Sequence, residues 1–292
     1  MHYYKKSLDD FDGYFNVTMH YRSDADITAS FIPHTARDWY LHKVGRKAES
    51  TLEELPLVTS EEEFERMFDE LMKVKSGATS WVASDCNDVA GATKRLQLVN
   101  EIEKKGNYVI DRYGRCGIRE IPLNGSILYD LLRTYRFYLA FENAQSCKDY
   151  ISEKFWYNAL YTGAVPIVWG PTKADVERVA PPNSFIHVDD FDGDWTRLAN
   201  YLRSLEADVD AYKEYFRWWT MKGFFPIYKL RQPDDVRDIV TDNACHFETN
   251  GMCHLCKTLN ENRHKKSYKV VRSLSDHFYG PEIFRCFKPN IC

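Results

Sequence analysis

From Thr79 onward the chain alternates between two hydrophobic periods. Short apolar runs at Thr79–Ser84, Tyr108–Tyr113, Arg136–Glu142, Val165–Trp169 and Ser184–Val188 predict strands. Between and after them, Thr93–Lys105, Ser126–Tyr135, Asp149–Tyr161, Lys173–Val179 and Trp195–Leu205 predict helices, the first with Leu96, Val99 and Ile102 on one face. Apolar strands alternating with helices predict a parallel sheet covered on both sides, an α/β doubly wound domain. Such sheets bind ligands beyond the carboxyl ends of their strands, where helix N-termini offer N–H donors to phosphate. Ahead of this pattern, Ser60 followed by Glu63 forms a capping box. Phe64, Met67, Phe68, Leu71 and Met72 then recur at helical spacing, with Gly77 as the expected stop. Three regions follow: 1–77 with its connecting helix, a sheet domain over 78–235, and a Cys-rich extension over 236–292.

Composition narrows the function classes. A net charge of −4 and a pI near 6.2 leave no basic footprint for nucleic acid. No run approaches the ~18 apolar residues of a membrane span, and Met1–Lys6 lacks the apolar core of a signal peptide. Neither GxGxxG nor a P-loop is present, which removes the main support for dinucleotide binding and NTP hydrolysis.

Five of the eight cysteines, Cys245, Cys253, Cys256, Cys286 and Cys292, crowd into residues 245–292. An even total of eight, most of it crowded into a polar tail, reads as a disulfide framework and hence a secretory lumen. The competing reading is zinc, held by Cys253 and Cys256 with Cys245 or His246 and His264, but no second CxxC follows at ribbon spacing. Sequons at Asn16 and Asn124 fit a lumenal chain. Lumenal chemistry without an entry signal leads to the expectation that a segment precedes this sequence.

The candidate chemistry lies in three stretches: Phe137-Tyr138-Leu139-Ala140-Phe141-Glu142-Asn143, Asp149-Tyr150-Ile151-Ser152-Glu153-Lys154, and Gly163–Pro171. A strand ends in Glu-Asn, and a helix then opens with Lys154 in its first turns. A lysine there opposes the helix dipole, which makes sense if an anion docks beside it; the bland alternative is a solvated Glu-Lys pair. Asp24-Ala25-Asp26, Asp190-Phe191-Asp192 and Asp192-Gly193-Asp194 fit a metal-binding DxD string, but acidic triplets are common in surface turns. No metal is expected, with Mn²⁺ kept as the alternative.

These stretches resemble the α1,3-fucosyltransferase family, whose signature runs FYL-x-FEN, DYI-T/S-EK, then GAVPVV-x-GP. Asp12–Met19 with Tyr21–Ile27, Phe185–Phe191 and Tyr215–Trp218 are similar to further family segments in the same order, and the Cys253/Cys256 pair resembles the family's terminal CxxC. The resemblance implies a GT-B architecture with the donor in the C-terminal half, and residues 1–77 as part of an incomplete acceptor domain. It implies an inverting Golgi-lumen enzyme moving L-fucose from GDP-fucose in α1,3 linkage to GlcNAc of a glycoprotein N-glycan or another acceptor. Tyr138, Asn143, Tyr150, Glu153 and Lys154 would line the donor site, with Val82, Ser84 and Asp85 at the end of the first strand and Arg95 in the next helix. Cys86 and Cys116 resemble those of the invertebrate and plant-type branch. The general base, a Glu in the family's Glu-Ser-Pro stretch, is expected upstream of Met1, together with most of the acceptor half and a membrane anchor. The alternative is a chain that binds GDP-fucose or a partner without catalysis.

Overall fold

The computed structural model describes residues 8–29, 58, 60–87, 90–120, 125–221, 251–263 and 269–279. An N-terminal segment carries two short parallel strands, β1 (Met19–His20) and β2 (Ile27–Thr28). Helix α1 (Glu61–Val74) follows, its N-terminus capped as the sequence indicates, with the Ser60 hydroxyl accepting from Glu63 N–H at 3.1 Å. The main sheet is built from β3 (Gly77–Val82), β4 (Asp111–Tyr113), β5 (Tyr135–Phe141), β6 (Val165–Trp169) and β7 (Ile186–His187). Its helices are α2 (Ala90–Gly106), α3 (Gly125–Arg133), α4 (Lys173–Val179), α5 (Trp195–Ala207) and α6 (Val209–Lys213), and α7 (Gly251–Asn262) and α8 (Leu274–Tyr279) close the described chain.

All five strands run parallel in the order β4-β3-β5-β6-β7. The chain leaves β3 toward β4 on one side and then crosses back to β5 on the other. This is the flavodoxin-like doubly wound order, whose switch point falls between β3 and β5. The expected α/β Rossmann-like unit, of the kind that GT-B enzymes use, is therefore present. Trp81, Phe137, Phe141 and Ile167 are fully buried in the sheet core. Helix α1 belongs to that same core. Phe68 packs on Tyr212 and Phe216 with ring centroids 6.2 and 5.5 Å away, and Phe64 meets Trp219 at 6.0 Å.

Two local expectations are corrected. Gly77 does not stop α1, which ends at Val74. It opens β3, where a Cβ would meet the Tyr135 ring at 2.5 Å. The helix expected over Asp149–Tyr161 begins only at Glu153 and continues as a π-helical turn, Lys154–Ala159. Asp149 sits in left-handed backbone with φ 60°, and the Ser152 N–H is taken by the Glu142 carboxylate at 2.8 Å. A side chain that takes a backbone N–H in this way competes with helix for it.

The cysteines also pair differently. Cys86 and Cys116, in the loops after β3 and β4, form a disulfide. Cys147 is disulfide-bonded as well. Cys256, one of the tail candidates, is an exposed free thiol. It lies with Cys253 inside α7. Cys245, Cys286, Cys292, His264 and Asn124 lie outside the described residues.

The N-terminal segment is fastened to the chain's far end. Gly13 N–H donates to Val271 O at 3.0 Å and Val271 N–H to Phe15 O at 2.8 Å. Arg22 Nη1 donates to His277 O at 2.6 Å, and the Nε2 atoms of His20 and His277 lie 2.7 Å apart. His20 Nδ1 accepts from Arg22 N–H, so in the neutral ring Nε2 carries the proton and His277 Nε2 accepts it. At Asn16 the amide donates to Lys269 O at 2.8 Å, while Thr18 of the same sequon is buried against Asp26. Among the described residues no helix is long and apolar enough to cross a membrane.

Candidate functional site

The switch point places two loops side by side, one after β3 (Ala83–Asn87) and one after β5 (Glu142–Ser152). Arg95 ties them together from below. Its Nη2 donates to Asp85 O at 2.7 Å and its Nη1 to Phe141 O at 3.1 Å, while its plane lies 6.0 Å from the Trp81 ring centroid. The side chain is 2% exposed, its Nε has no partner, and burial lowers its pKa. Arg95 thus brings a positive charge beneath the mouth, but its end is committed to backbone carbonyls. The start of α2 presses against the second loop, since a Cβ on Gly91 would collide with the Asn143 carbonyl.

Lys154 is the centre of the mouth. Its ammonium donates to Ser152 Oγ at 2.8 Å and Glu153 Oε1 at 3.0 Å, and lies 3.1 Å from Glu142 Oε2. Three partners occupy the three donors of an ammonium. Burial disfavours its charge, but the Glu142 and Glu153 carboxylates outweigh that and hold the pKa above its ordinary value. Conversely, Lys154 overcomes the burial of Glu153 and lowers that carboxyl's pKa. The two partners differ in access, because the Glu142 side chain is 2% exposed and that of Glu153 is 48%. Glu142 also accepts from Ser152 Oγ at 2.9 Å, so only Glu153 is free to turn away.

Of the residues singled out in the sequence, Asp85, Arg95, Asn143, Tyr150, Glu153 and Lys154 are brought together at this mouth. Tyr150 donates to Asn143 Oδ1 at 2.8 Å, and burial raises its pKa. Val82 closes β3 half-buried, and Ser84 is exposed just beyond it. Tyr138 is fully buried within β5, where it accepts from Asn158 Nδ2 at 3.0 Å and burial pushes its pKa up to about 12. It lies beneath the mouth, within electrostatic reach of Lys154, Glu153 and Glu142. Glu142 and Ser152 were missed as site residues. The signal for Glu142 was a lone carboxylate closing an otherwise apolar strand.

Each acidic triplet holds at least one carboxylate paired with a cation. Asp24 pairs with Arg22, Asp26 with Lys269 at 2.6 Å, Asp190 with Lys173 at 2.6 Å, and Asp192 with Arg197 at 3.3 Å. A groove of about 720 Å³ lies apart from the mouth, at the β7 edge, lined by Lys173, Asp190, Tyr201 and Tyr215 among others. None of the mouth residues named above lines it.

The model for the C-terminal part of glycosyltransferase family 10 (fucosyltransferase) matches residues 72–277. The chain is 37% identical over 211 residues to a 3-galactosyl-N-acetylglucosaminide 4-alpha-L-fucosyltransferase of Bos taurus, covering 72% of this chain and 48% of that protein. It is 36% identical over 213 residues to a 4-galactosyl-N-acetylglucosaminide 3-alpha-L-fucosyltransferase of Gorilla gorilla gorilla, covering 73% and 48%. A human protein of that same description is 36% identical over 207 residues, covering 71% and 48%. The chain spans about half the length of the curated relatives it matches.

Proposed function

The chain belongs to glycosyltransferase family 10, the fucosyltransferases, and from that premise we propose that it binds GDP-fucose at the β3/β5 mouth. The reaction we assign is transfer of L-fucose, with inversion and in α1,3 linkage, to GlcNAc of a glycoprotein glycan. The observation that carries this reading is the Lys154 ammonium at the switch point, held by buried Glu142 and by exposed Glu153. Negative charge gathers on the leaving diphosphate as the sugar–oxygen bond breaks, and a preorganised cation stabilises it. For Lys154 to reach a phosphate oxygen it must release a partner, and Glu153 is the accessible one. An exposed ion pair contributes only ~0–1 kcal/mol, whereas a hydrogen bond between charged groups contributes ~1.5–3 kcal/mol. The exchange is favourable, and it leaves the Glu153 carboxylate to accept from ribose hydroxyls. Tyr150 and Asn143 would then face the base or sugar.

The acceptor hydroxyl loses a proton during attack, and this needs a general base. We place the reaction in the Golgi lumen, a reading supported by the Cys86–Cys116 disulfide, since such bonds persist in oxidising compartments. The relatives' names divide between 3- and 4-linkage, so the α1,3 assignment rests on the motif resemblance.

The test is calorimetric titration of the chain with GDP in EDTA. Binding is expected without added metal; affinity that disappears in EDTA and returns with Mn²⁺ would sink the metal-free reading. A radiolabelled transfer assay with N-glycan cores and N-acetyllactosamine then assigns the acceptor. Binding without transfer to either would identify a donor-binding chain.

A further inference from the structure

The mouth is not built by the sheet unit alone. Asp149, just ahead of Tyr150, has left-handed backbone, a conformation that non-glycine residues keep only when their surroundings hold them. What holds it comes from outside the sheet. Its Oδ2 accepts from Ser23 N–H at 2.8 Å and from Ser23 Oγ at 2.7 Å. Arg178 of α4 completes the junction, ion-paired with Asp149 and donating to Ser23 Oγ at 3.4 Å. The Asp149 side chain is 5% exposed, so this is a nearly dry junction. Two residues earlier in the same turn, Tyr21 packs edge-on against the Tyr150 ring with centroids 5.2 Å apart.

We propose that Ser23, on the N-terminal segment, is a positioning residue for the donor loop. By fixing Asp149 in its left-handed conformation, it sets the direction in which Tyr150 leaves the turn and in which Ser152–Lys154 approach Glu142. This rests on the donor-site reading of the Lys154 mouth. Ser23 acts on that mouth through Asp149. Its effect is carried by one backbone conformation, and the loop geometry is therefore set by a segment 126 residues away in sequence. The same segment is pinned to residues 269–277, so anything that moves that joint is felt at the donor loop.

The experiment compares GDP affinity by calorimetry, and thermal midpoint, for the parent chain, Ser23→Ala, Ser23→Thr and Lys154→Ala. Ser23→Ala is expected to weaken GDP about tenfold, the equivalent of one hydrogen bond to a charged group, with little change in midpoint. Ser23→Thr, which keeps the hydroxyl and the N–H, is expected to restore affinity to within about threefold of the parent. A merely structural serine would lower the midpoint and leave affinity alone. If Lys154→Ala weakens GDP while Ser23→Ala binds as the parent does, the positioning role is refuted. If neither variant changes affinity, the donor-site reading fails and this inference falls with it. Should Ser23→Ala not fold, Asp149→Asn takes its place, since Asn tolerates left-handed backbone but loses the charge that Ser23 and Arg178 address. Its parent-like affinity would equally overturn the proposal.

Discussion

Truncating Lys154 to Ala separates what the sequence suggests from what the structure requires. A lysine on a helix surface costs within about 0.5 kcal/mol of stability when shortened, and the sequence alone places Lys154 in that class. The structure puts it in another. Its side chain is 12% exposed and it neutralises Glu142, whose side chain is 2% exposed. Breaking a buried ion pair from one side costs ~3–5 kcal/mol, because the surviving charge stays buried. Glu142 keeps two bonds from Ser152, so the lower end, about 3 kcal/mol, is expected. Urea unfolding should show it as a midpoint lowered by more than ~1 M, given m-values of ~1–3 kcal/mol/M. The raised pKa of Lys154 keeps this contribution in place below the ordinary lysine value, and it is lost only as pH rises through the raised one. The loss should therefore be the same at pH 6 and pH 8. Adding Glu142→Gln removes the stranded charge, and the double variant should recover most of the stability. A Lys154→Ala midpoint indistinguishable from the parent would refute the argument and return Lys154 to the solvated surface.

Three further outcomes are expected. Glu153→Gln should bind inorganic pyrophosphate more tightly than the parent, by about two- to fivefold, because the weakened exposed pair is easier to displace; equal or lower affinity in titration would argue against exchange at Lys154. Replacing Cys86 and Cys116 together by Ser should cost about 3–4 kcal/mol for a loop of 30 residues, and should weaken GDP because the β3 loop that carries Cys86 borders the mouth; a parent-like melt in non-reducing buffer contradicts this. Burial, then His277 and Arg22, lower the His20 pKa to about 4 against the opposing pull of Asp24 and Asp26, so the unfolded chain binds the extra proton between about pH 4 and 6.5. Stability should rise with pH across that window, by up to about 2 kcal/mol from this joint, and the rise should shrink in His20→Gln; an unchanged pH slope in that variant excludes the His20–His277 contact as its source.

The sequence determined what depends on near neighbours. The Ser60 cap, the core-facing stripe of α1, the strands β5 and β6 and the helix Lys173–Val179 are written in spacings of two to four residues, and each stands where it was read. The cluster around Lys154 was legible too, because its residues fall within one β–loop–helix passage. Tertiary structure decided the rest. Cys86 pairs with Cys116 because neighbouring strands bring their loops together. Asp149 enters left-handed backbone only because Ser23 and Arg178 reach it, and Lys154 is a buried counter-ion only because Glu142 lies beneath it. Local patterns report the preferences of the backbone. The protonation, burial and direction of a side chain depend on partners that folding brings from 10 to more than 100 residues away.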